Sequence, residues 1–143
     1  MRILVLCTGN SARSQMAEGL LRQLCPPGTT VVSAGTSPTY LHPESVAALA
    51  ELGIDISGQH SKHVDSVADV PFDVLITVCD QAREACPILP GVSRRLHWSL
   101  PDPASVDDPS QQRIAFRRVR DSLRLQVQAF AAELSAAREH DHS

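Results

Sequence analysis

The chain begins without a long hydrophobic run. Its first ten residues, MRILVLCTGN, hold five apolar side chains before a cysteine and a turn, far short of the ~20 that cross a bilayer or of a signal-peptide core. Neither a membrane anchor nor export is expected, which places the protein in the cytoplasm. Lysine is almost absent: Lys62 stands alone beside twelve arginines, scattered among sixteen carboxylates for a net charge of −3. No basic face for nucleic acid can be read from that distribution. The four cysteines form no CxxC pair and the six histidines no ligand spacing, so no metal site is expected. In a reducing compartment such cysteines are catalytic, metal-bound or buried more often than structurally paired. Neither a repeat nor a low-complexity segment divides the 143 residues. One domain over residues 1–138 is expected, monomeric, followed by a disordered tail at 139–143.

What is present alternates. Residues 2–6 read as a short buried strand, followed by a polar stretch with Gly9 and Asn10 as turn formers. From Ser14 the residues Met16, Ala17, Leu20, Leu21 and Leu24 keep helical spacing until Cys25-Pro26-Pro27-Gly28 stops it. A second strand is expected over 29–34, a helix over 43–52 closed by Gly53, a third strand over 72–78 and a fourth around 94–98. Asp108-Pro109 supplies an N-cap and a first-turn proline for a long last helix with the core stripe Phe116, Val119, Leu123, Val127, Phe130 and Leu134. Strands alternating with helices predict an α/β fold: a four-stranded parallel sheet with helices on both faces and a ligand site beyond the strands' carboxyl ends. Cys7 and Cys79 both stand at such ends.

The strongest chemical signal is Cys7-Thr8-Gly9-Asn10-Ser11-Ala12-Arg13-Ser14 between the first strand and the first helix. Successive backbone N–H groups of such a loop converge on a tetrahedral oxyanion, the helix N-terminus adds positive potential, and Arg13 offers a bidentate fork. The same field is expected to lower the Cys7 pKa, with Ser14 donating to the sulfur, which makes Cys7 the candidate nucleophile.

The run CTGNSARSQMAEGLLR resembles the signature of the low-molecular-weight protein tyrosine phosphatase superfamily, which includes thioredoxin-coupled arsenate reductases. In that superfamily an aspartate before proline, late in the chain, is the general acid, and Asp102-Pro103 occupies its place. Phosphatases of this kind follow that pair with tyrosines flanking an aromatic substrate. Here Ala104-Ser105 follow and Tyr40 is the single tyrosine, so an aromatic phosphoester pocket is poorly supported. VCDQAREACPILPG, HWSLPDPA and RRVRDSL resemble the reductase branch, extending the likeness from residue 2 to about 134. Taken alone, Cys79 and Cys86 read more readily as core residues than as redox partners; within the resemblance they imply electron transfer, while Cys25 stays a core candidate.

The resemblance implies a relay. Arsenate, for which phosphate or sulfate is a mimic, binds the loop; Cys7 attacks arsenic, Cys79 attacks Cys7, and Cys86 attacks Cys79, leaving a Cys79–Cys86 disulfide for reduced thioredoxin. No tightly bound cofactor is implied. Uninterrupted helix between Cys79 and Cys86 would rise ~10.5 Å, beyond the ~7 Å that a disulfide bridges between α-carbons. Residues 80–90 are therefore expected to pass from partly helical to looped on oxidation, helped by Pro87. Some reductases of this group hold potassium near the loop; Asn10, Glu18 and Ser33 match three of the ligands, and Lys62 stands where the fourth, an aspartate, would be. Lys62 is accordingly expected to pair with Glu18 in place of the cation. None of His42, His60, His63, His97, His140 and His142 is given a catalytic role, and Trp98 is read as packing near the Asp102 loop.

Overall fold

The computed structural model describes residues 1–86 and 89–141, with side chains as far as 138. Strands β1 (Arg2–Cys7), β2 (Thr30–Gly35), β3 (Val74–Thr77) and β4 (Arg94–His97) form one parallel sheet in the order β2-β1-β3-β4. Between and after them run α1 (Arg13–Leu24), α2 (Pro43–Ala50), α3 (Asp80–Ala85) and α4 (Pro109–Asp141), with 3₁₀ turns at Val64–Ser66 and Pro103–Ser105. This is the expected single-domain α/β architecture.

Burial explains why β1 is central. Ile3, Leu4, Val5 and Leu6 are all 0% exposed, and successive strand residues point to opposite faces, so both faces of β1 are covered. The α4 stripe from Phe116 to Leu134 is buried at the spacing that one helical face requires. Phe130 reaches the β4 side, where the Trp98 ring meets it edge-on at 6.3 Å and the Arg94 guanidinium lies 5.4 Å over it. Trp98 is thus a packing residue, held by α4. At its start α4 is capped as expected: the Asp108 carboxylate accepts from the Gln111 N–H at 2.9 Å. At the other end its backbone stays helical to Asp141. His142 lies outside the described residues.

Two elements are shorter than expected. β3 keeps only the middle of 72–78, because the Asp73 carboxylate accepts from the Arg2 N–H at 2.7 Å and its carbonyl takes the N–H groups of Ser93 and Arg94. α2 ends at Ala50: the N–H groups of Leu52 and Gly53 close tighter bonds to Leu49 and Ala50, and Gly53 at φ +76° turns the chain away.

The register positions the site. Cys7 pairs with Gly35 of β2, Leu6 with Thr77 of β3, and the Val78 N–H still donates to the Leu6 carbonyl at 3.0 Å. Cys7 and Cys79 therefore leave adjacent strands at the same edge of the sheet. No described helix is long and apolar enough to cross a membrane.

Candidate active site

The loop after β1 is wrapped around the Cys7 sulfur. Cys7 is 2% exposed; its Sγ lies 2.8 Å from the Ser14 Oγ and accepts from the Asn10 N–H at 3.1 Å. Asn10 makes this curvature possible. It adopts φ +47°, a left-handed conformation that Asn tolerates better than most side chains. Its side-chain amide donates to Ser14 Oγ at 2.8 Å and Ser33 Oγ at 2.9 Å, while its Oδ1 accepts from the Lys62 N–H at 3.0 Å. Gln15, also fully buried, donates to the Asn10 carbonyl at 2.9 Å. The loop is braced from four directions, and α1 starts from Ala12 without a side-chain cap, so its first N–H groups face the loop.

Burial pushes the Cys7 thiol above its ordinary value; the Ser14 hydroxyl, the backbone bonds from Asn10 and Ser14, and the Arg13 charge pull it down without overcoming that. The expectation of a lowered Cys7 pKa is thereby corrected: it counted the loop's field and omitted the desolvation of a sulfur at the end of a central strand. Removing a donor to the sulfur raises the pKa further. Ser14→Ala is expected to move Cys7 ionisation to higher pH, read as thiolate ultraviolet absorbance against a Cys7→Ser background.

A cleft of about 560 Å³ opens over the loop, lined by Cys7, Thr8, Gly9, Ser11, Ala12 and Arg13 and facing Asp102. Arg13 donates through Nη1 to the Leu100 carbonyl at 3.0 Å, tying the Asp102 segment to the loop. Asp102 is exposed and caps the turn Pro103–Ser105, its Oδ1 accepting from the Ala104 N–H at 3.0 Å. Six further polar side chains on the cleft carry no role in the sequence reading: Ser37, Thr39, Tyr40, His42, Gln81 and Gln112. His42 caps α2, stacks on Tyr40 (5.8 Å) and meets the Phe116 ring at a tilt (4.7 Å). The signal was there, since a polar residue before Pro43 opens a helix.

The second cysteine stands beside the loop. Cys79 is 5% exposed and caps α3, its Sγ accepting from the Ala82 N–H at 3.4 Å and lying 3.3 Å from Thr8 Oγ1. Cys86 follows the last residue of α3 and is half-buried; burial pushes its thiol up, and the Arg95 charge and hydrogen bond pull it down. All six residues between them are helical, so the two thiols stand at opposite ends of α3. Pro87, expected to help end this helix, lies outside the described residues. Cys25 terminates α1 at the other end of the sheet, its thiol pushed up by burial to about 11.

The region proposed for a cation is arranged differently from the expectation. Glu18, 2% exposed, accepts through Oε1 from the Ser33 N–H (2.9 Å) and Oγ (2.7 Å), and its Oε2 pairs with Arg22 at 3.0 Å. Lys62 donates instead to the His60 carbonyl at 3.1 Å. The expected direct Lys62–Glu18 ion pair is corrected: Arg22, one helical turn along α1, takes the carboxylate, and Lys62 keeps only the Coulombic attraction of Glu18; the i,i+4 spacing was legible. Among the described residues no cluster of three or more His, Cys, Asp and Glu is placed to hold a metal.

Gly35 backs the loop. A Cβ there would meet the Thr8 carbonyl at 2.4 Å and the Asn10 nitrogen at 3.0 Å, both backbone atoms with nowhere to go. Gly35→Ala is expected to displace the loop and weaken phosphate binding, measured calorimetrically, by about tenfold or more, with Ser37→Ala on the same cleft as the mild comparison.

A model of the low molecular weight phosphotyrosine protein phosphatase family matches residues 2–140. An arsenate reductase of Bacillus subtilis (strain 168) is 42% identical over 130 residues, covering 90% of this chain and 94% of its own. A solved arsenate reductase in an oxidized state superposes with a TM-score of 0.78 at 30% identity, covering 93% of this chain and 98% of its own. A thioredoxin-dependent arsenate reductase of Corynebacterium glutamicum superposes with a TM-score of 0.75 at 25% identity, covering 95% of this chain and 62% of its own.

Proposed function

Since the chain belongs to the low molecular weight phosphotyrosine protein phosphatase family, we propose that it is the family's redox variant, an arsenate reductase working through Cys7, Cys79 and Cys86 with reduced thioredoxin as electron donor. The observation that carries this reading is Cys79 at the loop, its sulfur 3.3 Å from the hydroxyl of the residue after Cys7. Ester hydrolysis through a thiol needs one cysteine and a water; a second buried thiol against the residue that follows Cys7 supports a role in disulfide formation. The similarity to arsenate reductases over nine-tenths of the chain points the same way.

In the proposed cycle arsenate lies in the loop, held by backbone N–H groups and the Arg13 fork. Cys7 Sγ attacks arsenic, an S–As bond forms, and one arsenate oxygen leaves as water, protonated by Asp102 and by the proton the thiol gives up. Cys79 Sγ then attacks Cys7 Sγ. The S–As bonding pair passes to arsenic, which departs as arsenite, reduced by two electrons while the two sulfurs are oxidised to a disulfide. β1 and β3 are neighbours, ~4.8 Å apart as parallel strands are, and Cys7 and Cys79 follow the same end of that pair, which supports their meeting in this step. Cys86 attacks Cys79 in turn, Cys7 leaves as thiolate, and thioredoxin reduces the Cys79–Cys86 disulfide. A cytoplasmic setting supplies that donor, and phosphate or sulfate competes for the loop as a mimic.

A second reading is hydrolysis of a phosphomonoester through Cys7, Arg13 and Asp102, and Tyr40 on the cleft rim favours it, since an exposed ring there can flank an aryl leaving group. The deciding assay is arsenite production from arsenate with thioredoxin, thioredoxin reductase and NADPH, beside hydrolysis of a small aryl phosphate without reductant. Sustained arsenite release supports the reductase; aryl phosphate turnover with no arsenite replaces it with the hydrolase.

A further inference from the structure

α3 has six residues, too few to hold as a helix without tertiary anchors. Three contacts anchor its first turn. Ala82 is fully buried, Cys79 Sγ caps the Ala82 N–H, and the Asp80 carboxylate meets His97 Nε2 at 2.7 Å. His97 is itself fixed: its Nδ1 lies 2.6 Å from Thr77 Oγ1, across the register pair Thr77 and His97 of β3 and β4. Asp80, Thr77 and His97 thus form a chain from an exposed carboxylate at the head of α3 to the buried strand β3. A carboxylate in the first turn also suits the helix dipole. The His97 hydrogen bond holds the Asp80 carboxyl below its ordinary value, with Arg83 and Ser99 acting in the same direction.

The geometry matters because the two thiols at the ends of α3 cannot join while it is helical. Seven steps of α-helix span about 10.5 Å, and bridged α-carbons lie within about 7 Å. Closing the Cys79–Cys86 disulfide unwinds α3, and its first residue then loses the place that puts Asp80 on His97. We propose that the Asp80–His97 pair is a latch that holds α3 wound in the dithiol form and so sets the position of the Cys79–Cys86 thiol–disulfide equilibrium, with His97 a positioning residue acting through Asp80. This rests on the relay reading above. The latch serves the cycle twice. It keeps Cys79 beside Thr8 for the Cys7 adduct instead of losing it to an early bond with Cys86, and it favours return to the dithiol once an external donor attacks. In the exchange with a dithiol buffer each two-electron step is balanced: the protein disulfide forms as the buffer disulfide is reduced.

The test uses the full chain carrying Cys7→Ser and Cys25→Ser, which isolates Cys79 and Cys86, equilibrated with mixtures of reduced and oxidised dithiothreitol and quenched with an alkylating agent. Trypsin cuts after Arg83, so the disulfide is read as a linked pair of fragments. Asp80→Ala and His97→Ala are expected to favour the disulfide about tenfold, equivalent to about 30 mV lower potential for this two-electron couple, while Asp80→Asn, which still accepts from His97 Nε2–H, stays near the parent. Equal constants in all four proteins overturn the latch and leave the relay standing. A linked pair that forms in none of them, at any dithiothreitol ratio, overturns both. Unchanged amide exchange at Leu75 and Ile76 certifies that the sheet is intact in each variant.

Discussion

Cys86→Ser is expected to release one arsenite per chain and then stop. Nothing in the first two steps uses Cys86, so the S–As adduct forms and Cys79 resolves it at the natural rate. The product is a Cys7–Cys79 disulfide between a sulfur on a residue 2% exposed and one on a residue 5% exposed, which a protein reductant cannot approach in line. Cys25 cannot replace the missing thiol. It stands at the far end of α1, and its pKa of about 11 leaves almost no thiolate at neutral pH. Steady-state arsenite production with thioredoxin should fall by about two orders of magnitude or more, with a burst equal to the enzyme concentration and a linked tryptic pair holding Cys7 and Cys79. A hydrolase would not register the change. Undiminished steady-state arsenite release in Cys86→Ser would remove the relay, and a missing burst would place the fault earlier, at Cys79.

Those elements were legible that rest on local spacing. β1, the loop and α1 follow one another in the sequence, and the apolar periods of α1 as far as Leu21 and of α4 reappear as buried residues, while Leu24 at the end of α1 is exposed. The adjacency of β1 and β3, on which the proposed Cys7–Cys79 step depends, was reachable only through the general behaviour of parallel sheets, because no local pattern encodes which strands pair. What escaped has a common physical character. The Cys7 pKa direction turns on how deeply the strand end is buried, a property of everything packed around it. The Asp80–His97 bond joins residues 17 apart whose histidine carries no motif. Gly35 matters because the loop backbone returns to lie on it, a contact between segments separated by more than twenty residues. The Lys62 assignment failed for the opposite reason: a correspondence to other proteins was preferred to the nearer partner, Arg22, one turn away on the same helix.

Arg13→Lys is expected to cost more than the loss of a hydrogen bond, although the charge is kept. The guanidinium does two things at once: Nη1 holds the Leu100 carbonyl at 3.0 Å, two residues before Asp102, while the side chain lines the cleft over Cys7. A planar fork has enough donors in fixed directions to bond a carbonyl and a tetrahedral oxyanion together. An ammonium is a single point and must choose. If it follows the anion, the Leu100 carbonyl loses its partner and the segment carrying Asp102, the proposed general acid, loosens; if it stays with Leu100, the oxyanion loses its bidentate clamp. In both cases the transition state loses more than the ground state, since charge shifts onto the oxygens as the S–As bond forms and the departing oxygen awaits its proton from Asp102. The expected result is a fall of kcat/KM for arsenate by about a hundredfold or more, most of it in kcat, with competitive inhibition by phosphate weakened by about tenfold or less. Asp102→Asn should lower kcat alone, because the amide oxygen of the substituted side chain still accepts from the Ala104 N–H and leaves the turn in place. If Arg13→Lys instead raised KM with kcat unchanged, Arg13 would be only an anchor for the anion, and the bond to Leu100 would carry no part of the chemistry.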